Sequence, residues 1–233
     1  MSVSGGPDIV ENGLVLCLDA GNIKSYPGSG IIWRDLSGNR NDAALNNGPT
    51  FNSANGGHLV FDGTNDYAGI TSASTLNMGG KSFTADIWIA VSTSSGSERI
   101  IFEYNVWSTQ GTYQVTTQSG NQIVVNFINA QAGGKALYYT YTPFTTGIWT
   151  NVVGQFDTVN NTISTYINGS MVAQNTAVTQ EIGSAVSSLH ICSRGGGSLF
   201  LPCKMASLKI YNTALSATEI LQNYNATKGR FRL

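Results

Sequence analysis

What most constrains this chain is a spacing. Segments with strand character recur roughly every ten to fifteen residues, with Gly, Asn and Ser turns between them. "GLVLCLDA" opens the series. "HLVFDG" and "YAGI" flank a "TND" turn. "SFTADIWIAV" alternates cleanly and sets Phe83, Ala85, Ile87, Ile89 and Val91 on one face. "RIIFEYNVW", "TYQVTTQ", "QIVVNFINA", "ALYYTYT", "IWTNVVGQFD", "TISTYING", "SMVAQ", "SLHICS" and "MASLKIYN" follow. That is about a dozen strands with no helical period between them. The pattern predicts an all-β chain, a sandwich or jelly roll whose two sheets bury their inner faces.

One helix is signalled, at the C-terminal end. In "ALSATEILQNYNATKG", Ser216 is the N-cap and Glu219 completes a capping box. Leu215 staples to Ile220, Ile220 and Tyr224 share a face, and Gly229 suits the stop. No composition break, linker or repeat divides the chain. Residues 9–228 therefore read as one domain, with flexible arms at 1–8 and 229–233.

A chain of 233 residues can bury a full core without disulfides. The formal charge is −1, so no basic footprint points to nucleic acid or to an anionic membrane. Only 11% of residues are charged, against about 25% in typical soluble domains, so Ser, Thr, Asn, Gln and Gly must form the polar surface. This suits an extracellular or virion protein and equally suits any β-rich chain. No apolar run reaches the roughly 20 residues of a membrane span, so no membrane insertion is expected. "MSVSGGPDIVENG" lacks a basic region followed by an apolar core, so if the protein acts outside a cell it is expected to leave by lysis or by a non-standard route rather than by signal-directed export. There are three cysteines and no CxxC pair, which disfavours structural zinc. Cys192 and Cys203 could face each other across a hairpin; buried thiols are the default.

The ordered blocks "GLVLCLDAGN", "SYPGSG", "WRDLSGNRND", "LVFDGTNDY", "SFTADIWI", "WTNVVGQFD", "ISTYINGSMV" and "LKIYNTALSATEILQNY" resemble the laminin-G-like, concanavalin A-like jelly-roll modules, from about Gly13 to Tyr224. The resemblance implies an antiparallel β-sandwich jelly roll with one short C-terminal helix. The opening "SYPGSG" and "WRDLSGN" and the ending "YNATKGRF" look most like versions found in tailed-phage structural proteins. The superfamily includes sugar binders, protein binders, glucan hydrolases and surface decorations, so function has to be argued at a site.

Catalysis is disfavoured. Glucan hydrolases of this fold carry an E-x-D-x-x-E strand, and retaining hydrolysis needs two carboxyls about 5 Å apart. No such triad occurs. Glu98 and Glu103, five apart, are expected on opposite faces of a strand, and Asp86 stands alone in its own. His58 and His190 have no evident nucleophilic partner. "RGGGS", Arg194 to Ser198, follows no βα pattern, so it is no phosphate cradle. No catalytic residue and no resident cofactor are expected.

Calcium is the alternative. Asp35, Ser37, Asn39 and Asn41 alternate oxygen side chains, and Asp62 and Asp66 form a second acidic turn. Asp and Asn in turns also bind their own backbone, and that reading is preferred. A sugar site needs aromatic platforms beside amides. The candidates are Tyr139 and Tyr141 on one strand face, and Trp107 with Asn105 and Gln110 near a turn. Core filling is the competing reading, and Trp33, Trp88 and Trp149 are assigned to the core. The sequence-based expectation is a non-enzymatic phage virion protein at the particle surface, either head decoration or tail and adsorption component. Its expected partners are other virion proteins, copies of itself and host glycans. A free carbohydrate-binding module, calcium-dependent or not, is the alternative.

Overall fold

The computed structural model describes residues 8–93, 96–105, 111–131, 134–179 and 181–233, with backbone alone for 128–141. Among them are sixteen strands. In chain order they are β1 (Leu14–Asp19), β2 (Ile32–Trp33), β3 (Ala43–Asn46), β4 (Thr50–Asn52), β5 (His58–Asp62), β6 (Tyr67–Ile70), β7 (Phe83–Val91) and β8 (Arg99–Tyr104). Then follow β9 (Tyr113–Gln118), β10 (Gln122–Gln131), β11 (Gly134–Pro143), β12 (Thr150–Asp157), β13 (Thr162–Ile167), β14 (Ser170–Asn175), β15 (Leu189–Ile191) and β16 (Pro202–Tyr211). One α-helix, α1 (Ala217–Thr227), comes last.

The strands form two antiparallel eight-stranded sheets. Sheet A runs β14-β13-β12-β7-β16-β5-β4, and β1 also pairs with β16. β16 serves two neighbours on one side: residues 202–205 pair with β5 and residues 207–211 with β1. Sheet B runs β11-β10-β9-β8-β15-β6-β3-β2. The sandwich expected from the spacing is thus present. The strands that escaped the pattern are β2, β3 and β4, too short and too rich in Asn and Ala for period-two alternation to show.

The inner faces make one core. Phe83, Ala85, Ile87, Ile89 and Val91 join it as the alternation predicts. Aromatic pairs cross between the sheets: Phe127 to Phe156 at 4.4 Å and Phe83 to Tyr113 at 4.8 Å between centroids. The sheets approach closely at Gly154, where a Cβ would stand 2.9 Å from both methyls of Val125. Trp33 and Trp88 are fully buried and Trp149 partly so.

Alternation alone missed that β7 is buried on both faces. Its second face, with Thr84, Asp86, Trp88 and Ala90, lies under the C-terminal segment. The capping box on Ser216 and Glu219 forms as expected, and Leu215 and Ile220 enter one buried cluster with Val10, Val153, Tyr166 and Tyr211. Trp88 stacks on Tyr224 and Phe231 at 5.8 and 4.0 Å, and its Nε1 donates to Thr227 Oγ1. Asp86 does not stand alone: Asn151 Nδ2 donates to it at 2.7 Å, and Lys209 Nζ lies 3.9 Å away.

Two expectations about the chain ends are corrected or left aside. Residues 229–233 are not a loose tail. The helix passes at Lys228 into a 3-10 turn through Phe231, and Phe231 is buried on Trp88. Arg230 grips Asp19 with contacts of 2.8 and 3.0 Å. Burial of one aromatic ring and a paired guanidinium outweighs the entropy of a short end. The expected N-terminal arm lies outside the described residues up to position 7; Asp8 O accepts from Gln222 on the helix.

Candidate ligand-binding face

The helix covers the outer face of sheet A; the outer face of sheet B carries a polar row of its own. Strand register sets this row. His190 on β15 is paired with Glu103 on β8, Glu103 with Gln114 on β9, Gln114 with Asn126 on β10, and Asn126 with Tyr139 on β11. Val115, Phe102, Val125 and Phe127 between these positions face the core, so the polar members face outward. Thr116 lies beside Gln114 on the same face, and Tyr141 pairs with Val124 one step along from Tyr139.

The row is polar yet nearly closed to solvent. Glu103 and Gln114 are 0% exposed and Asn126 is 2% exposed. Among the described residues, Gln114 Nε2, Thr116 Oγ1, Asn126 Oδ1 and His190 Nδ1 are buried without a hydrogen-bond partner. Such groups normally find one, and each costs roughly 1–3 kcal/mol until a partner arrives. Burial lowers the pKa of His190 below its ordinary value, keeping the ring neutral.

Arg194 lies over Glu103 and Gln114 within the row. Its Nε lies 3.2 Å from Glu103 Oε1, its Nη1 3.2 Å from Glu98 Oε2, and its Nη2 3.5 Å from Gln114 Oε1. Glu98 and Glu103 therefore meet the same guanidinium, which corrects the expectation of opposite faces. Glu98 precedes β8, and a register shift between Ile100 and Phe102 breaks the parity that alternation assumes. The "RGGGS" stretch is a tight turn bridged between Arg194 and Ser198. Gly196, at φ 75°, lets it rest on Tyr67: a Cβ there would meet the ring at 3.0 Å. The Tyr67 ring in turn lies 6.1 Å from His190.

The sequence-based sugar candidates are only partly placed. Trp107 and Gln110 lie outside the described residues. Tyr139 and Tyr141 occupy alternate positions of β11, in register with the polar row, and only their backbone is described. Asn105 follows β8 with left-handed backbone at φ 65°, and its Oδ1 accepts from Ser187 Oγ at 3.0 Å. Gln114, Thr116 and Asn126 were not singled out from the sequence, and His190 was considered there only as a catalytic group. Gln114 and Thr116 alternate within "YQVTTQ", which was a local signal; Asn126 is the lone polar residue of "IVVNF" and carried none.

The calcium candidates are self-contained turns. Asp35 Oδ1 accepts from the amides of Cys17 and Ser37, and Oδ2 from Ser37 Oγ and the amide of Asn41. Asn39 and Asn41 turn their Nδ2 groups, donors rather than ligands, onto Val15 O. Asp62 Oδ1 accepts the amides of Thr64, Asn65 and Asp66, while Asp66 Oδ2 accepts that of Asp62. The amides hold the Asp62 carboxyl below its usual pKa, and burial raises that of Asp66. In the Asp35 set both carboxylate oxygens are engaged by amides and a hydroxyl, as the preferred turn reading describes. A cleft of about 580 Å³ lies elsewhere, by Asp19, Asn22 and Arg230, but these charges already neutralise each other.

By sequence, no curated protein matches the chain. Residues 62–221 match the laminin G-type family model described as "Concanavalin A-like lectin/glucanases superfamily". The chain belongs to this superfamily. Solved structures agree in fold. The binding domain of Paraclostridial Mosquitocidal Protein 1 superposes with a TM-score of 0.74 at 16% identity, covering 93% of this chain and 52% of that one. The binding domain of Botulinum Neurotoxin DC, solved in complex with SialylT, gives 0.71 at 12% identity, covering 94% and 52%. Trypanosoma rangeli sialidase in complex with sialic acid gives 0.65 at 16%, covering 94% and 33%. This concanavalin A-like chain spans about half the length of the toxin binding domains it resembles.

Proposed function

We propose that this chain is a non-catalytic, lectin-like recognition module that binds a glycan on the outer face of sheet B. The observation that carries the reading is the row of buried hydrogen-bonding groups on Gln114, Thr116 and Asn126 that have no partner among the described residues. Sugar hydroxyls both donate and accept, so one ring can supply the partners that an amide donor, an amide acceptor and a hydroxyl lack. Tyr139 and Tyr141, in register with that row, are the proposed stacking platforms. Asn105, with Trp107 and Gln110 close to it in the sequence, is proposed to add further ligand contacts. Structures of this fold solved with SialylT and with sialic acid support the choice of ligand class.

The proposed setting is the surface of a phage particle, as head decoration or adsorption component, beside other virion proteins and copies of itself. Low charge and an amide-rich, hydroxyl-rich composition support it. Catalysis is not part of the reading, because Glu98 and Glu103 are both engaged by Arg194.

The test is a glycan array probed with the full chain, and with Gln114→Ala/Asn126→Ala. Binding by the wild type and at least a tenfold loss in the variant is the expected result. Equal binding by both removes this face from the site. Release of reducing ends from any bound glycan would overturn the non-catalytic assignment. Immunogold labelling of particles tests the setting; unlabelled particles would leave a free module.

A further inference from the structure

Cys192 directly follows the sheet B strand β15, and Cys203 is the second residue of β16 in sheet A. Both are fully buried in the core that the sheets share. Their sulfur atoms lie 3.3 Å apart as free thiols. They meet between the sheets and not across a hairpin. Backbone bonds fix Cys192 on both sides: its amide donates to Ile101 O, and its carbonyl accepts from the Leu201 amide. Arg194, which lies over Glu103 and Gln114 of the polar row, follows two residues later. Cys17 is remote in role, on β1 opposite Lys209.

We propose that Cys192 and Cys203 are a cross-link site: in an oxidising medium they form a disulfide that ties sheet A to sheet B and closes the segment carrying Arg194. The oxidant is a small disulfide such as oxidised glutathione. One thiolate attacks it, releasing one reduced glutathione and leaving a mixed disulfide. The second thiolate displaces the other glutathione. Two thiol protons and two electrons leave the protein, and one S–S bond forms. Exchange needs a thiolate, and burial raises the Cys192 thiol well above its ordinary pKa, so the bond is made while the chain is folding or locally open. The proposal does not depend on the ligand.

The full chain is refolded with oxidised and reduced glutathione, or with excess dithiothreitol. It is then denatured, labelled with N-ethylmaleimide, digested and weighed. The expected product of the glutathione arm is a Cys192–Cys203 linked peptide, two hydrogens lighter than its parts, with label on Cys17 alone. Its melting temperature should exceed that of the reduced arm by roughly 5–10 °C. Cys17→Ser should keep this difference and Cys203→Ser should lose it. Label on all three cysteines after oxidative refolding, a link through Cys17, or an oxidised form melting no higher than the reduced form would each overturn the proposal. The wild-type comparison needs no variant to fold.

Discussion

At the residue scale, the buried groups that carry charge or stack on Trp88 are where single changes matter. Arg194 neutralises a fully buried Glu103. Arg194→Ala should cost roughly 3–5 kcal/mol in urea unfolding, since it leaves a buried carboxylate without its guanidinium. Arg194→Ala/Glu103→Gln should recover much of that loss; no recovery would mean the charge is compensated elsewhere. Phe231→Ala should cost roughly 3 kcal/mol, because the ring is buried on Trp88. A change under 0.5 kcal/mol would restore the loose tail that the sequence suggested. Burial lowers the pKa of His58 and of His190 below 6.5; at His58 the Ala54 carbonyl opposes the shift, while Lys204 and Arg230 reinforce it. The unfolded chain therefore takes up protons first as pH falls. Stability from these groups is full above about pH 6.5 and declines below it, toward the folded values. Urea midpoints at pH 7.5 and 5.5 should differ in that direction, and His58→Gln/His190→Gln should flatten the profile.

At the element scale, the acidic turns and the sheet contact make separate predictions. Asp35 and Asp62 spend their oxygens on backbone amides. Thermal melts in calcium and in chelator should coincide; a midpoint raised by calcium would show that the turns open to bind it. Gly154 is the point where β12 meets Val125 of the opposite sheet. Gly154→Val should lower stability by roughly 1–3 kcal/mol, through overpacking rather than backbone strain. Strand existence was readable because period-two alternation survives wherever one face is core. The face assignment of Glu98 was not, because a bulge inside β8 inverts parity and no residue type announces it.

For the whole molecule, the deciding fact is which face each sheet has left. The helix and the turn after it occupy the outer face of sheet A. The polar row therefore lies on sheet B, and ligand binding should be lost through Gln114 and Asn126 rather than through Asp35 or Asp62. The sequence by itself determined the all-β class, most of the strands, the capped helix and the core tryptophans. Each rests on local periodicity or on capping chemistry within a few residues. Only the tertiary structure decided the double burial of β7, the docking of residues 229–231, the meeting of Cys192 with Cys203 and the row from His190 to Tyr139. Each joins residues far apart in the chain, and strand register, which aligns them, is set by the packing of the whole sandwich.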